Sequence, residues 1–355
     1  MKIVFVTANL GSGGAERVIS LLANEFDRHG YEVEIIFLKK RLVFYPIQPN
    51  IHIVVADEES HSTKMLKKMW WLRRYVAKTK PDVVIPFRVS VYTATLFSLL
   101  GMCVPIISSE RIDPHIPDPI WDFLRRLLLP FTTHLVVQTS YIKSYYPKFI
   151  QKKTSVILNP VNEAVFDIIE GQVSKVSRII SVARLDPQKN QQMMIQAFAK
   201  IADKFPDWKL VIYGEGSLRT ELESLISNLK LHGRVLLPGR TDHVIDELRK
   251  SKVFCFSSNY EGLSNSMIEA LCVGLPIVTT HVSGTEDIVV DGENGFVVPV
   301  NDEQAMTNAL ERLLSHEQLL DEMGKRNGQK AMMFSMNTIY SQWEKIIKSI
   351  ANNEN

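Results

Sequence analysis

The sequence predicts an α/β protein built from two successive parallel-sheet domains, and three observations carry that prediction. Short apolar runs rich in Val, Ile and Phe alternate with helical stretches from one end to the other. The alternation breaks at a polar stretch near 162–175 and then restarts. At 355 residues, 45% of them hydrophobic, the chain is long enough for two cores and long for one.

In the first half, strands are expected at 2–6, 32–38, 82–86, 105–109, 134–138 and 155–158, with a helix over 16–29 after the first. In the second half they are expected at 178–183, 209–213, 234–237, 252–256, 276–279 and 295–298. Residues 337–352 read as a helix, with Ile339, Trp343, Ile346, Ile347 and Ile350 on its apolar side. The expected domains are therefore 1–162 and 163–336, with the helix at 337–355 packing back on the first.

Composition narrows the class. Cys103, Cys255 and Cys272 show neither metal spacing nor an even count, so they are expected to pack as small apolar residues in a reducing compartment. Residues 1–10 read as a strand entering a glycine turn, not as a cleavable leader, and no apolar run is long enough for a span. The expected location is the cytoplasm, peripheral on the inner face of the cell membrane. The net charge of +2 hides a split. Residues 1–160 carry 21 Lys and Arg against 13 Asp and Glu, and the remainder 20 against 26. A basic first half suits an anionic partner.

Three strand–helix junctions carry anion-binding chemistry. Gly11-Ser12-Gly13-Gly14-Ala15-Glu16-Arg17 lets backbone approach a ligand at a helix start. It is not a dinucleotide fingerprint: the third glycine is replaced by Glu16, and strand two ends in Leu38-Lys39-Lys40 without an acid. Arg184 and Lys189, five residues apart in Ala183-Arg184-Leu185-Asp186-Pro187-Gln188-Lys189, can both reach one diphosphate from a loop where both should be exposed. In the run Glu261-Gly262-Leu263-Ser264, amides at a helix start suit phosphate, and Glu269, two turns on, can accept two hydrogen bonds from a ribose diol. Each junction taken alone also reads as an ordinary loop. Together they lie where open parallel sheets bind ligands.

Glu261 and Glu269 resemble the paired glutamates, seven residues apart, of retaining glycosyltransferases of family GT4. Gly13-Gly14-Ala15-Glu16-Arg17, the Arg184–Lys189 pair, Tyr213-Gly214-Glu215-Gly216, Pro238-Gly239-Arg240, Val282-Ser283-Gly284-Thr285-Glu286 and Asn294-Gly295 are similar to further motifs of that family. The resemblance implies a GT-B fold, two Rossmann-like domains with parallel sheets facing across a cleft. It implies Arg184 and Lys189 on the donor diphosphate, with Glu261 beside the donor sugar. Gly214, Gly216, Arg240, Gly262, Leu263, Ser264 and Glu269 fall on the nucleotide-sugar side. Gly13, Gly14, Glu110 and Arg111 fall on the acceptor side. Many relatives have a histidine where this chain reads Ser109-Glu110-Arg111-Ile112-Asp113-Pro114, a pattern similar to a branch acting on lipid-linked sugars in bacterial surface polysaccharide synthesis. The expected partners are a nucleotide sugar, with UDP the first choice, and a lipid-linked saccharide. No cofactor or metal is expected, because the Arg–Lys pair can neutralise the diphosphate. A sugar-nucleotide epimerase of the same architecture, a non-catalytic binding protein, and a transferase with a soluble acceptor are the alternatives.

A helical wheel over 64–80 groups Lys64, Lys67, Lys68, Trp71, Arg74 and Lys78 on one face and Leu66, Met69, Leu72 and Val76 on the other. A cationic stripe with a tryptophan suits an anionic membrane surface. Trp121, Leu124, Arg125, Arg126 and Leu128 form a second such segment. No nucleic-acid recognition module is visible, so nucleic acid is not an expected partner.

Overall fold

Strands made of Val, Ile and Phe that are buried on both faces need a helix on each side, and the chain supplies them in alternation. The computed structural model describes residues 1–11, 13–40, 42–161, 165–166 and 173–352. Ser12 of the glycine loop and most of the expected boundary stretch fall outside these. The chain divides into one unit of Met1–Pro160 with Met336–Asn355 and a second of Val161–Ser335.

The first unit holds parallel strands β1 (Lys2–Thr7), β2 (Glu32–Phe37), β3 (His52–Val55), β4 (Val83–Pro86), β5 (Ile107–Ser109), β6 (His134–Val137) and β7 (Thr154–Val156). Their orders are β3-β2-β1-β4 and β5-β6-β7. Parallel bridges Val84–Ile106 and Phe87–Ser109 join the two sheets. The winding direction reverses between β1 and β4, which pair through Ile3–Val83 to Val6–Pro86. Strand β3 has no counterpart in the sequence reading. The helices are α1 (Gly14–Arg28), α2 (Ala56–Glu59), α3 (Met65–Thr79), α4 (Val89–Ser98), α5 (Pro119–Leu128), α6 (Ser140–Tyr145) and α7 (Lys148–Gln151). One core packs Val18, Leu22 and Phe26 of α1 with Ile339, Trp343 and Ile347 of the C-terminal helix Met336–Asn352. The other packs Leu72 and Val76 of α3, Tyr92 and Leu96 of α4, and Leu128 of α5.

The second unit holds β8 (Arg178–Val182), β9 (Lys209–Tyr213), β10 (Val235–Gly239), β11 (Val253–Phe256), β12 (Ile277–Thr280) and β13 (Gly295–Val298), parallel in the order β10-β9-β8-β11-β12-β13. Its helices are α8 (Gln191–Ile201), α9 (Arg219–Asn228), α10 (Val244–Arg249), α11 (Asn265–Cys272), α12 (Thr285–Ile288), α13 (Glu303–Leu314) and α14 (Glu317–Lys330). Side chains fix several helix starts: Asn190 accepts from the Met193 amide, Ser264 from Met267 and Asp302 from Ala305. The reversal here lies between β8 and β11. Burial pushes the Cys255 thiol up to about 12, so it packs and does not react. Cys103, expected to pack, is exposed. Among the described residues no helix is long and apolar enough to cross a membrane.

Candidate active site

Adjacent strands whose connections leave in opposite directions open a crevice at their carboxyl ends. In the second unit those strands are β8 and β11, and the loops that leave them run over 183–190 and 257–264. The loops are laced together. The Asn259 amide donates to the Gln188 carbonyl (2.8 Å), and Asn259 Nδ2 to that of Pro187 (3.0 Å). Gln188 Nε2 donates to the Tyr260 carbonyl (2.9 Å), and Ser257 Oγ to that of Lys189 (2.8 Å). The 183–190 loop is held from its other side by the turn after β9. There the Leu185 amide donates to the Glu215 carbonyl and the Leu218 amide to that of Leu185, each at 3.0 Å. Only glycine allows this approach: a Cβ on Gly214 would sit 1.8 Å from the Ala183 carbonyl oxygen, and one on Gly216 2.1 Å from that of Leu185.

On this frame Lys189 Nζ bonds Glu261 Oε1, and Ser258 Oγ donates to the same oxygen at 2.8 Å. Lys189 also lies 5.2 Å from the centre of the Phe256 ring. Arg184 and Lys189, both expected to be exposed, differ. Arg184 is exposed, with 68% of its side chain accessible, but Lys189 retains only 13% because the Glu261 pair draws it inward. Arg184 pairs with Asp186 at 3.1 Å. Arg184, Lys189 and Glu261 thus gather on the two laced loops. Gly262, Leu263 and Ser264 lead into α11, and Glu269 lies within that helix, buried. Arg240 follows β10 and is exposed. Ser258, Gln188 and Asn259 escaped the sequence reading. Their one signal was their place on the loops that carry Lys189 and Glu261.

In the first unit Gly13 is the N-cap of α1 and Gly14 its first residue. Glu16 Oε1 accepts from Arg88 Nη1 at 3.2 Å, across the ends of β1 and β4. Arg88 itself takes φ +75°, a backbone region that non-glycine residues seldom occupy. Glu110 has no exposed surface. Its carboxylate accepts from Tyr92 Oη (2.7 Å), Arg125 Nε (3.0 Å), Tyr146 Oη (3.2 Å) and the Arg111 amide (3.1 Å). Burial, then the Glu110 charge, raises the pKa of both tyrosines far above the usual value. Arg111 is buried above the Phe87 ring, 4.6 Å from its centre. Burial pushes its guanidinium down to about 9, so it stays charged at neutral pH. Asn159 Oδ1 accepts from Arg111 Nη1 (2.9 Å) and Gln138 Nε2 (2.8 Å). Arg111 Nη2 and Gln138 Oε1 are left buried without hydrogen-bond partners.

The expected basic stripe on α3 is broken by Lys68 and Trp71, which turn inward. Lys68 shares the phase of Leu72 and Val76, four and eight residues on, and is buried with them. Its Nζ donates to the Leu38 carbonyl and pairs with Asp57, both at 2.7 Å. Trp71 packs inward against Tyr75, at 5.0 Å between ring centres. The outward tryptophan is Trp70, with the Arg74 guanidinium 4.6 Å over its ring. Leu66 is exposed, opposite to its expected side. Lys64, Lys67, Arg74 and Lys78 do face solvent. In the second segment Trp121, Leu124 and Leu128 pack inward and Arg125 is buried, which leaves Arg126 outward.

Residues 12–165 match the model of glycosyltransferase family 4, and residues 167–330 that of glycosyl transferases group 1. The chain is 31% identical over 361 residues, 99% of each chain, to a Campylobacter jejuni enzyme, GalNAc-alpha-(1->4)-GalNAc-alpha-(1->3)-diNAcBac-PP-undecaprenol alpha-1,4-N-acetyl-D-galactosaminyltransferase. A second Campylobacter jejuni enzyme, N-acetylgalactosamine-N,N'-diacetylbacillosaminyl-diphospho-undecaprenol 4-alpha-N-acetylgalactosaminyltransferase, is 29% identical over 90% of this chain and 91% of its own. Among solved structures, Anabaena HepE in complex with UDP and glucose superposes with a TM-score of 0.81 at 17% identity, over 98% of this chain and 100% of that one. With two doubly wound parallel units and likeness to a relative along its whole length, the chain belongs to family 4 of the glycosyltransferases and is a sugar-transferring enzyme of the GT-B fold.

Proposed function

We propose that the enzyme moves a hexose or N-acetylhexosamine from a UDP-sugar to a lipid-linked saccharide, with retention at the anomeric carbon and without a metal ion. The observation that carries the donor side is the gathering of Arg184, Lys189 and Glu261 on two laced loops at the reversal point of the second unit. There Arg184 and Lys189 neutralise the departing diphosphate, a duty that a metal performs elsewhere. Glu261 and the amides leading into α11 line the sugar–phosphate junction, and Glu269 holds the ribose. The bond from C1 to the phosphate oxygen breaks early. The acceptor oxygen then bonds C1 on the same face, and its proton passes to the leaving phosphate, so no protein base is assigned. Gly13, Gly14 and Arg111 serve the acceptor side, and Glu110 steadies the Arg111 loop from within.

The relatives' undecaprenol-linked acceptors support the lipid-linked reading, and the UDP held by the structural neighbour supports the donor nucleotide. An enzyme with such an acceptor works at a bilayer surface, which agrees with the basic first half. The test offers each of several nucleotide sugars with a membrane lipid extract and reads lipid-linked products by mass. A mass gain of one sugar residue on a lipid-linked saccharide is the expected result. Conversion of UDP-sugar with no acceptor present would indicate an epimerase, and UDP binding without turnover a binding protein. Product formed only on water-soluble saccharides would overturn the acceptor assignment.

A further inference from the structure

Large apolar side chains normally point inward, yet on one helical layer of the first unit they point out. The inner face of α5 supplies Trp121, Leu124 and Leu128 to the core. Its outer face carries Ile120, Phe123 and Leu127 at spacings of three and four, continued by Phe131 in the turn that follows. These four are 52–69% exposed. The helix packs on α4, and α4 on α3. Phe97 on α4 and Leu66 and Trp70 on α3 are exposed as well. A run of outward apolar residues along neighbouring helices marks an interaction surface.

Charge selects the occupant. Residues 119–153 contain six Lys and Arg against one acidic residue, Asp122. Asp122 is occupied by Arg125 and Tyr145. Arg126 on α5 and Lys148 and Lys152 in and after α7 are exposed; on α3, Lys67 and Arg74 lie three and four residues from Trp70, with Lys78 exposed one turn further on. A second copy of the chain would bring like charges together, whereas an anionic leaflet complements them. Beside the end of α5 opens a cleft of about 500 Å³, lined by Arg126, Leu129, Tyr145, Pro147, Phe149 and Ile150, with room for part of a lipid chain.

We propose that the outer face of α3, α4 and α5 docks on an anionic bilayer. Ile120, Phe123, Leu127 and Phe131 enter the interface, and the surrounding cations meet the headgroups. Neither signal alone anchors firmly, while insertion and charge together do. The proposal rests on the lipid-linked acceptor reading for its purpose, and on exposure and charge for its support.

The test sediments the full chain with vesicles of phosphatidylcholine, with and without phosphatidylglycerol, in the absence of substrates. Wild type should bind the anionic vesicles and keep part of that binding as salt rises. Ile120→Ser/Phe123→Ser/Leu127→Ser should lower partitioning about tenfold or more and remove the salt-resistant part. Lys67→Gln/Arg74→Gln/Arg126→Gln should weaken binding at low salt. The single Phe123→Ser variant guards against misfolding, and UDP binding should be unchanged in all three. Wild-type-like binding by the apolar variants overturns the proposal. So does a wild-type dimer in solution that the triple variant dissolves, because a second copy would then cover the ridge. Turnover on lipid-linked saccharide presented in detergent reads the acceptor assignment separately; its absence beside intact vesicle binding would remove that assignment and leave the docking face in place.

Discussion

A lysine that already holds a carboxylate cannot hold a diphosphate on the same terms. Lys189 is paired with Glu261 and little exposed, while Arg184 stands in solvent, so the two cations should fail differently when removed. Arg184→Ala should cost roughly 2–4 kcal/mol in transition-state stabilisation, with folding stability unchanged. Lys189→Ala should cost a similar amount in turnover and also destabilise the second unit, because among the described residues Glu261 would keep the Ser258 hydroxyl alone as a hydrogen-bond partner while staying buried. Steady-state kinetics and denaturant titration of both variants check this, and near wild-type turnover in both would remove the diphosphate assignment. The two glutamates divide in the same way. Glu269→Gln should weaken UDP binding by about 1.5–3 kcal/mol, the worth of hydrogen bonds to a charged group. Glu261→Ala should depress turnover more than UDP affinity. Calorimetric titration with UDP separates the two, and an unchanged affinity in Glu269→Gln would end the ribose role.

Helix α5 is tied to the layer beneath it by Arg125, which meets the buried Glu110 and is held from its own helix by Asp122. Breaking a buried ion pair leaves an uncompensated charge, so Glu110→Gln should cost about 3–5 kcal/mol of stability. Chemical denaturation measures it. Full stability with lost turnover would instead put Glu110 at the substrate. Most strands were legible because parallel strands buried on both faces are continuous apolar runs, as in Val253–Phe256. His52–Val55 was missed: four residues, one of them histidine, at a sheet edge carry too little pattern. The strand–helix loops that bring Lys189 and Glu261 together were legible because they are short and their spacing is local. The phase of α3 was not. Charge set the helical wheel, but Leu72 and Val76 set the burial, and Asp57 supplied a partner that made an inward Lys68 tolerable. The Arg111–Gln138–Asn159 cluster was illegible for another reason. Its members come from the ends of three different strands and meet only in the folded sheet.

At the scale of the whole molecule, the first unit is not a continuous piece of chain. Its core is completed by residues that follow the entire second unit, and Trp343 is the largest of them. Trp343 is fully buried, stacked on Phe87 with ring centres 6.0 Å apart, beside Ile339 and Ile347. Its indole Nε1 is buried without a hydrogen-bond partner, so the residue contributes through packing alone and carries a small polar penalty. Size and polarity can therefore be separated by two substitutions. Trp343→Ala should destabilise the first unit by about 3–5 kcal/mol, the usual cost of emptying a large aromatic site. Trp343→Phe removes the orphan N–H and leaves a smaller cavity than Ala does, so it should cost clearly less than Trp343→Ala. The second unit has its own core, which shares no residue with this one, so UDP affinity should be the same in wild type and both variants. Thermal unfolding with and without UDP measures both properties on one sample. Equal losses from Ala and Phe would mean that the indole N–H is satisfied in solution, and a drop in UDP affinity would mean that the second unit depends on the first for its donor site.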